Sequence, residues 1–469
     1  MYSGQHSVMI QSPEAFLTSS LIKHSEGIKV AKILYASLAA VEPGEVVKKS
    51  LVRKGDRIQL GGETLDLRAF DRIILIGIGK AGYPMSMAAA DLLGDKLTQG
   101  IILTKPGADQ LPEKYAGIIK HFQGGHPVPN QNSITAAKVI QAQLSGLNSR
   151  DLVVILLSGG GSTLLSAPSP GISLPDLIFT NQVLLGCGAD ITEINTIRKH
   201  ISSVKGGLLA SIAAPAKIVT LILSDVMGDP IDMIASGPTA PDPSTFQDAL
   251  NIMQKFNLEK LLPPTLVDRI NRGCSGEYPE TPKPTDPLFQ KVYNHIIGCN
   301  FDAVQAGILA AEREGFNAGI LPNPLKGESS RMGIELAEIL RQMARKGNPL
   351  PRPACLIGGG ETTVTLQSSE EIGRGGRNLE TALSAVRILN DLPNAALITL
   401  ATDGEDGVTD AAGAVVTGES FLRGKTLQIQ PENYLLNHDS YSYFEKLDDL
   451  LLPGVTRTNV NDLCFLFTF

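Results

Sequence analysis

The 469-residue chain has few cysteines, no basic run and no long apolar segment. Its five cysteines are scattered without a CxxC pair, which argues against a disulfide framework or a zinc site and favours a reducing compartment. No apolar run approaches the length of a membrane span, and the N-terminus lacks the pattern of a signal peptide. The net charge of −7 offers no electrostatic footprint for nucleic acid. The sequence therefore predicts a soluble cytoplasmic protein without nucleic-acid or membrane partners.

The composition, with 43% hydrophobic and 19% charged residues, is that of a globular protein long enough for two large domains. Uninterrupted apolar runs alternate with helical stretches, a pattern typical of parallel sheets covered by helices. Two Pro-rich passages place the domain boundary, giving residues 1–245, a connector at 246–290, and residues 291–469. A helix is predicted to open at Ser12-Pro13-Glu14. The predicted strands are Arg72–Ile76, Gly100–Leu103, Leu152–Leu157, Ile218–Leu223, Ala354–Ile357 and Ala396–Leu400.

The segment GIGKAG, residues 77–82, follows a predicted strand and formally satisfies G-x-G-x-x-G. A dinucleotide site would also want an acid after the next strand, but Lys105 stands there. The 2′-phosphate of NADP could still meet Lys105, so an NADP-dependent reductase stays open as an alternative. Lys80 lies inside the glycine turn, where its ammonium would point at a bound anion.

Two further glycine segments follow predicted strands, SGGGS at residues 158–162 and GGGE at residues 358–361. A third, GRGGRN at residues 373–378, opens a helix and carries Arg377, whose fork of donors suits carboxylate or phosphate. Such loops can hold anions through backbone N–H groups, although a tight turn with a solvated arginine would read the same way. The predicted binding residues here are Gly79, Ser158, Gly159, Gly160, Gly161, Ser162, Gly359, Gly360, Glu361 and Asn378.

Acidic residues follow two other strands. Asp225 and Asp229 suit Mg²⁺, which takes one or two carboxylates plus substrate phosphates, although both could instead shape a turn. Asp403 and Asp406 belong to the acidic segment TDGEDGVTD. By contrast, the basic cluster of Arg198, Lys199 and Lys205 is interpreted as a surface charge run, with His200 among them as a structural residue.

Together these segments resemble the class II glycerate kinases, whose C-terminal half is the MOFRL-type domain. The resemblance spans most of the chain and rests on GIGKAG, LSGGGSTLL, INTIRKHIS, ILSDVMGDPIDMIASGPTAPDPSTF, GGGETTV, GRGGRNLE, ATDGEDGVTDAAGAVV and TNVNDL. It implies an α/β protein with a Rossmann-like N-terminal domain, a smaller C-terminal α/β domain, and the site in the cleft between them. Two residues depart from the family pattern: Arg457 replaces a common glycine, and Leu208 a common polar residue.

The resemblance also implies ATP-dependent phosphorylation of D-glycerate, usually at the 2-hydroxyl, with Mg²⁺. Lys80 and Arg377 match the leading active-site positions. Phosphoryl transfer asks mainly for positioning and charge stabilisation, so Lys80 would offset developing charge and Arg377 would clamp the glycerate carboxylate or the γ-phosphate. Asp225 with Asp229 would hold Mg²⁺. Either Asp403 or Asp406 would orient the glycerate hydroxyl. The sequence leaves the oligomeric state open, a homodimer included.

Overall fold

The computed structural model describes residues 12–60, 63–107, 110–366 and 372–469, which form two compact units. The central unit is Pro43–Ile297, and the terminal unit combines the chain up to Glu42 with Gly298–Phe469. This division differs from the predicted boundaries at both ends, because the N-terminal helices belong with the C-terminal half. Those helices are α1 (Ser19–Lys23) and α2 (Gly27–Ala40). The helix expected at Ser12 is a short 3₁₀ turn over Pro13–Phe16, with Ser12 at its N-cap.

The central unit contains a small antiparallel sheet and a six-stranded sheet. The small sheet is made of β1 (Leu51–Lys54), β2 (Arg57–Leu60) and β3 (Glu63–Asp66). The large sheet is made of β4 (Arg72–Ile78), β5 (Gln99–Thr104), β6 (Ile119–Gln123), β7 (Asp151–Leu157), β8 (Lys217–Leu223) and β9 (Val292–Gly298). Its order is β6-β5-β4-β7-β8-β9, and the pairs from β6 to β8 are parallel. The four strands predicted here are confirmed.

Uninterrupted apolar strands require cover by helices, and the central unit contains several helices. They are α3 (Pro43–Ser50), α4 (Gly82–Leu93), α5 (Gln131–Leu144), α6 (Gly161–Leu164), α7 (Leu174–Gly186), α8 (Ile191–His200), α9 (Leu208–Ala213), α10 (Phe246–Lys255) and α11 (Pro264–Cys274). Every residue of β7 is buried, and each such Val, Leu or Ile contributes about 1.5–3 kcal/mol.

Helices α10 and α11 were predicted to form a connector between domains. Instead they pack on α7 and α8 around a shared apolar cluster that includes Leu184, Ile197, Phe246 and Leu266. All four of these side chains are buried. The segment is therefore part of the central unit, because its amphipathic helices have an apolar face that needs cover.

The terminal unit contains a seven-stranded mixed sheet. Its strands are β10 (Asn317–Ile320), β11 (Leu325–Glu328), β12 (Ala354–Thr363), β13 (Ala395–Ala401), β14 (Gly413–Thr417), β15 (Leu450–Leu451) and β16 (Asp462–Thr468). Its helices are α12 (Asn300–Arg313), α13 (Ser329–Lys346), α14 (Arg377–Ala385), α15 (Ser420–Thr426), α16 (Pro431–Leu436) and α17 (Ser440–Leu447). The last strand, β16, lies between β12 and β13 and is antiparallel to both. The predicted strand positions are confirmed, but a wholly parallel sheet is wrong here, since apolar runs report burial and not strand direction.

The prediction of a glycine loop at Gly358–Gly360 is also wrong. Strand β12 continues through these glycines, which pair with Cys464, Leu463 and Asp462 of β16. The glycines make room for close neighbours: a Cβ on Gly359 would lie 1.6 Å from Asn300 Oδ1. Any role of Gly359 and Gly360 in binding stays a prediction.

Among the described residues, none of the helices combines the length and apolarity that a bilayer crossing needs.

Candidate active site

The central sheet reverses its strand order between β4 and β7. From β4 the chain proceeds outward through β5 to β6, whereas β7 leads in the other direction through β8. Ligands of open α/β sheets bind beyond the carboxyl ends of the strands at such a switch point. Both glycine segments predicted to bind anions, residues 77–82 and 158–162, follow these two strands. The topology therefore brings them together.

The first of these loops uses its backbone donors internally. The N–H of Gly79 donates to Leu103 O (3.1 Å), that of Lys80 to Gly159 O (2.8 Å), and that of Ala81 to Ser158 Oγ (3.0 Å). Gly79 has φ 117°, and a Cβ there would lie 2.3 Å from Ser158 Oγ, so only glycine fits. These backbone donors are therefore already satisfied, and a role in anion binding for the Lys80 ammonium stays a prediction.

The second loop keeps donors available. Within the described residues, no protein acceptor pairs with the N–H groups of Gly159 and Gly160. Gly160 has φ 78°, and a Cβ there would lie 3.0 Å from the His126 ring and 3.3 Å from Lys80 Cγ. Two consecutive N–H groups next to a lysine make a concavity suited to phosphate or carboxylate oxygens.

His126 is a residue of this site that the sequence analysis did not identify. Burial, which has the largest effect, and the positive charges of Lys80 and Lys105 together lower its pKa to about 4. The imidazole is therefore neutral at physiological pH, while the two lysines give the loop a positive potential. No local motif marks His126, which comes close to Lys80 only through the fold.

Ser162, at the end of the second loop, is held by a buried polar network. Its Oγ lies 2.8 Å from Ser236 Oγ, which in turn donates to Asn195 Oδ1 (3.0 Å). The ammonium of Lys205 donates to Ser162 Oγ at 2.6 Å. Burial lowers the pKa of Lys205 well below its ordinary value, and Arg198 adds to the shift.

The interpretation of Arg198, Lys199 and Lys205 as a surface charge run is wrong. Lys199 and Lys205 are buried, and Lys199 forms ion pairs with Asp232 (3.1 Å) and Asp242 (3.2 Å). A charge run reads as surface in sequence because burial depends on partners that are distant along the chain. His200 packs edge-on against Phe246 at 4.7 Å between ring centroids, which fits the structural role expected of it.

Asp225 and Asp229 lie in the turn that follows β8, the neighbour of β7. The N–H of Asp229 donates to Val226 O (3.0 Å), and Asp229 adopts φ 55°. Two oxygen donors at a strand's carboxyl end fit Mg²⁺ that also binds substrate phosphates. Among the described residues, no cluster of three or more acidic, His or Cys side chains could hold a metal without such help.

In the terminal unit, Arg377 begins α14 and meets Asp462, which begins β16. Its Nε donates to Asp462 Oδ2 (2.5 Å) and its Nη2 to Oδ1 (3.1 Å), a bidentate pair. Nη1 lies 2.8 Å from Glu361 Oε1. Although burial acts to lower the pKa of Arg377, the carboxylate of Asp462 raises it above the ordinary value. Asp462 carries no signal in the sequence beyond its place in TNVNDL.

The N-terminus of α14 is occupied by a carboxylate of the protein itself. The N–H of Asn378 donates to Asp406 Oδ1 (3.1 Å) and that of Leu379 to Oδ2 (2.8 Å). A Cβ on Gly376 would lie 2.4 Å from Asp406 Cγ, so this glycine lets the acid approach. Burial raises the pKa of Asp406 to about 7, against the lowering effect of these hydrogen bonds.

Asp403 occupies a different environment in the same acidic segment. It is half-buried, and its Oδ1 accepts the N–H of Glu405 at 3.3 Å. Arg457, which replaces a common family glycine, adopts φ 62°, the left-handed region that favours glycine. The structure thus brings predicted residues together within each unit: Gly79, Lys80, Ser158, Gly159, Gly160, Gly161 and Ser162 in the central unit, and Glu361, Arg377, Asn378 and Asp406 in the terminal unit.

Family comparisons agree with this architecture. A family model described as a domain of unknown function (DUF4147) matches residues 29–271, and the MOFRL family model matches residues 354–462. The D-glycerate 2-kinase of Thermotoga maritima is 40% identical over 92% of this chain and 96% of its own length. The chain belongs to the class II glycerate kinase family.

Two further comparisons bear on this family assignment. A crystal structure of glycerate kinase from Thermotoga maritima is similar with a TM-score of 0.81 and 38% identity, covering 94% of this chain and 99% of that one. A relative from Agrobacterium vitis, 41% identical over 84% of this chain and 86% of its own length, carries the provisional name hydroxypyruvate reductase. The fold of the class II glycerate kinases thus extends over both units.

Proposed function

We propose that the protein phosphorylates D-glycerate at its 2-hydroxyl, using ATP and Mg²⁺. The observation that carries this proposal is the pair of loops at the switch point of the central sheet. There Lys80 adjoins the N–H groups of Gly159 and Gly160, for which the described residues provide no acceptor. Phosphoryl transfer requires positioned donors and positive charge for the phosphoryl oxygens, and this loop pair supplies both. The class II glycerate kinase relationship supports the choice of substrate.

Lys80 is proposed to offset the charge that develops on the transferred phosphoryl group. The N–H groups of Gly159 and Gly160 bind oxygens of the same phosphate chain. Gly161 and Ser162 complete the loop, with Gly161 opening α6. Because His126 is neutral, it adds no positive charge beside Lys80 and does not repel the ammonium.

Arg377 is proposed to bind the carboxylate of glycerate or the γ-phosphate. Asp462 holds one edge of the guanidinium from a buried position, whereas Glu361 on Nη1 is half exposed. Exposed ion pairs contribute only about 0–1 kcal/mol, so an incoming anion can displace Glu361 from that edge. Since an arginine fork favours planar bidentate anions, the outer edge is the proposed point of contact.

Asp225 and Asp229 would hold Mg²⁺, which neutralises phosphate charge when bound. A donor set of two carboxylates suits an ion that arrives with the nucleotide. For orienting the glycerate hydroxyl we favour Asp403 over Asp406. The Asp406 carboxylate is buried and already accepts two backbone N–H groups, so it caps α14, whereas Asp403 is only half-buried.

The structure disfavours the alternative of an NADP-dependent hydroxypyruvate reductase. A dinucleotide fingerprint presents backbone N–H groups of its first glycine turn to the pyrophosphate. Here those of Gly79, Lys80 and Ala81 are bonded within the protein. A reductase would also leave Asp225 and Asp229 without a role.

The test is ³¹P NMR of the product formed from ATP and D-glycerate, with and without Mg²⁺. A 2-phosphoglycerate signal that requires all three components is expected. Lys80→Ala should lower kcat by about 10²–10³-fold with little change in KM for glycerate, because one transition-state donor is removed. The surface variant Lys114→Ala is the control. Oxidation of NADPH by hydroxypyruvate without ATP turnover would refute the proposal.

The cytoplasmic location and a homodimer stay predictions. Size-exclusion chromatography with light scattering of the purified chain measures the oligomeric state directly. A monomer at micromolar concentration would exclude the dimer without affecting the proposed chemistry.

A further inference from the structure

A small cavity lies beside the second glycine loop in the central unit. It has a volume of about 20 Å³. Its wall combines apolar residues with polar side chains, among them Ser162, Asn181, Arg198, Ser202 and Lys205. A space of this size takes about one water-sized group, such as an oxygen of a bound oxyanion.

Two cations in this wall have no counter-charge within the part of the chain that the structure describes. Lys205 is 6% exposed, and its ammonium donates to Ser162 O (2.5 Å) and Oγ (2.6 Å). Arg198 donates through Nε to Asn181 Oδ1 (2.8 Å). The acceptors, Ser162 and Asn181, are both neutral. Among the described residues, no carboxylate lies within ion-pair distance of either cation.

The adjacent buried cation, Lys199, is paired with carboxylates. Lys199, one position after Arg198 on α8, is neutralised by both Asp232 and Asp242. Buried charges are ordinarily paired, because leaving one unpaired is costly. Arg198 and Lys205 also repel each other, and together with burial this repulsion lowers the pKa of Lys205. A site that concentrates unpaired positive charge in a small cavity calls for an anion.

We propose that Arg198 and Lys205 form a subsite that binds one oxyanion group of a reactant, either the carboxylate of glycerate or a phosphoryl group. The identity of the bound reactant rests on the proposed function, whereas the binding of an anion rests on the cations in the cavity. Arginine supplies a planar fork that suits either group. Because Lys205 also bonds Ser162, occupancy of the subsite would fix the end of the loop that carries Gly159 and Gly160.

The experiment measures anion binding to the full chain by calorimetry and by thermal unfolding. Sodium phosphate and D-glycerate are the probes, with sodium chloride at matched ionic strength as the blank. Arg198→Gln keeps a donor for Asn181 and removes the charge. We expect it to weaken binding of at least one probe by tenfold or more. Without ligand its Tm should be unchanged or higher, because the repulsion on Lys205 is relieved.

Lys205→Met provides a second variant that keeps the length of the side chain, and it should weaken the same probe. The matched control is Arg272→Gln, which alters an arginine of the same unit that is paired with Asp268 and Glu277. Loss confined to D-glycerate identifies a carboxylate subsite, and loss confined to phosphate a phosphoryl subsite.

Wild-type affinity for both probes in both variants would overturn the subsite, as would a wild-type protein that binds neither probe. A lower ligand-free Tm in Arg198→Gln with unchanged binding would assign Arg198 a structural role instead. Kinase turnover is measured separately on wild type. Its absence would refute the proposed function while the binding results still decide whether the anion subsite exists.

Discussion

Arg377 and Asp462 form a bidentate ion pair across 85 positions of sequence, joining the start of α14 to the start of β16. Asp462 is almost fully buried, whereas the Arg377 side chain is 34% exposed. The pair therefore has a fixed carboxylate and an accessible guanidinium. This geometry is expected of a positioning residue behind a binding residue, since the hidden partner sets the orientation of the exposed one.

Asp462→Asn tests this positioning role. Asparagine keeps the size of the side chain but presents only one oxygen, so the fork of Arg377 loses its fixed orientation. A misplacement of about 1 Å can cost about 10²-fold in rate, and we expect kcat to fall by that order. Steady-state kinetics with D-glycerate and ATP measures the change.

The control for Asp462→Asn is Asp449→Asn. Asp449 is also buried and pairs with an arginine of the same unit, Arg423, at 2.6 Å. Breaking a buried pair costs about 3–5 kcal/mol, and less when one partner stays partly exposed. Both variants should therefore lose similar stability, and only Asp462→Asn should lose kcat. Equal kcat in the two variants would make the Arg377 pair purely structural.

Gly160→Ala tests the contact between the second glycine loop and Lys80. The added methyl would meet the His126 ring at 3.0 Å and Lys80 Cγ at 3.3 Å, which must displace the lysine stem. Gly146→Ala is the matched control, because Gly146 has φ 76° and open space around it. Each change costs about 1–2 kcal/mol of backbone strain.

We expect only Gly160→Ala to reduce kcat, by about tenfold or more, since a displaced Lys80 no longer faces the phosphoryl group. Parallel kinetics and urea denaturation of the two variants separate the effects. Similar kcat values in both would show that Lys80 tolerates displacement at this point.

Most of the strand positions could be predicted, because long apolar runs such as those of β4 and β7 indicate buried strands. The sequence also draws attention to Lys80, since a lysine inside a glycine turn is unusual, but its role stays a prediction. By contrast, the loop predicted at Gly358–Gly360 is a strand. Glycines accommodate close packing as readily as anions, and the close neighbour of Gly359 is Asn300. The sequence cannot separate these two uses of glycine.

Residues whose role depends on tertiary partners escaped prediction. Lys199 and Lys205 look identical in sequence, yet among the described residues Lys199 is neutralised by Asp232 and Asp242, whereas Lys205 has no carboxylate partner. Asp406 likewise looked like a ligand in an acidic turn, but its carboxylate accepts the N–H of Asn378 at the start of α14, 28 residues earlier. Long-range pairing of this kind leaves no local pattern.

His126 should make stability depend on pH in the acidic range. Its folded-state pKa is lowered from the ordinary 6.5 to about 4 by burial and by Lys80 and Lys105. Between these values the unfolded chain binds a proton that the folded chain does not, so stability falls as pH drops from about 6.5 to 4. His126→Gln should flatten this part of the profile measured by urea denaturation at each pH. An unchanged slope in the variant would show that titration of His126 does not cause this dependence of stability on pH.

Asp406→Asn distinguishes a helix cap from a group that acts on substrate. Burial raises the folded-state pKa of Asp406 from 3.8 to about 7, so the folded protein binds a proton there that the unfolded chain has released. Its contribution to stability is therefore greatest below about pH 4 and is lost as pH rises towards 7. Asparagine, itself a good N-cap, should remove this dependence with little loss of stability at pH 7.

The same variant decides between the two acids proposed to orient the glycerate hydroxyl. If Asp406 only caps α14, Asp406→Asn keeps kcat within about tenfold of wild type. Asp403→Asn should instead lose about 10²–10⁴-fold, the range for removing a group that takes or orients a proton. The opposite ranking would transfer the role to Asp406, whose pKa near 7 would then suit a base at physiological pH. Because both acids lie in one loop, similar Tm values for the two variants at pH 5 would attribute the difference in kcat to chemistry.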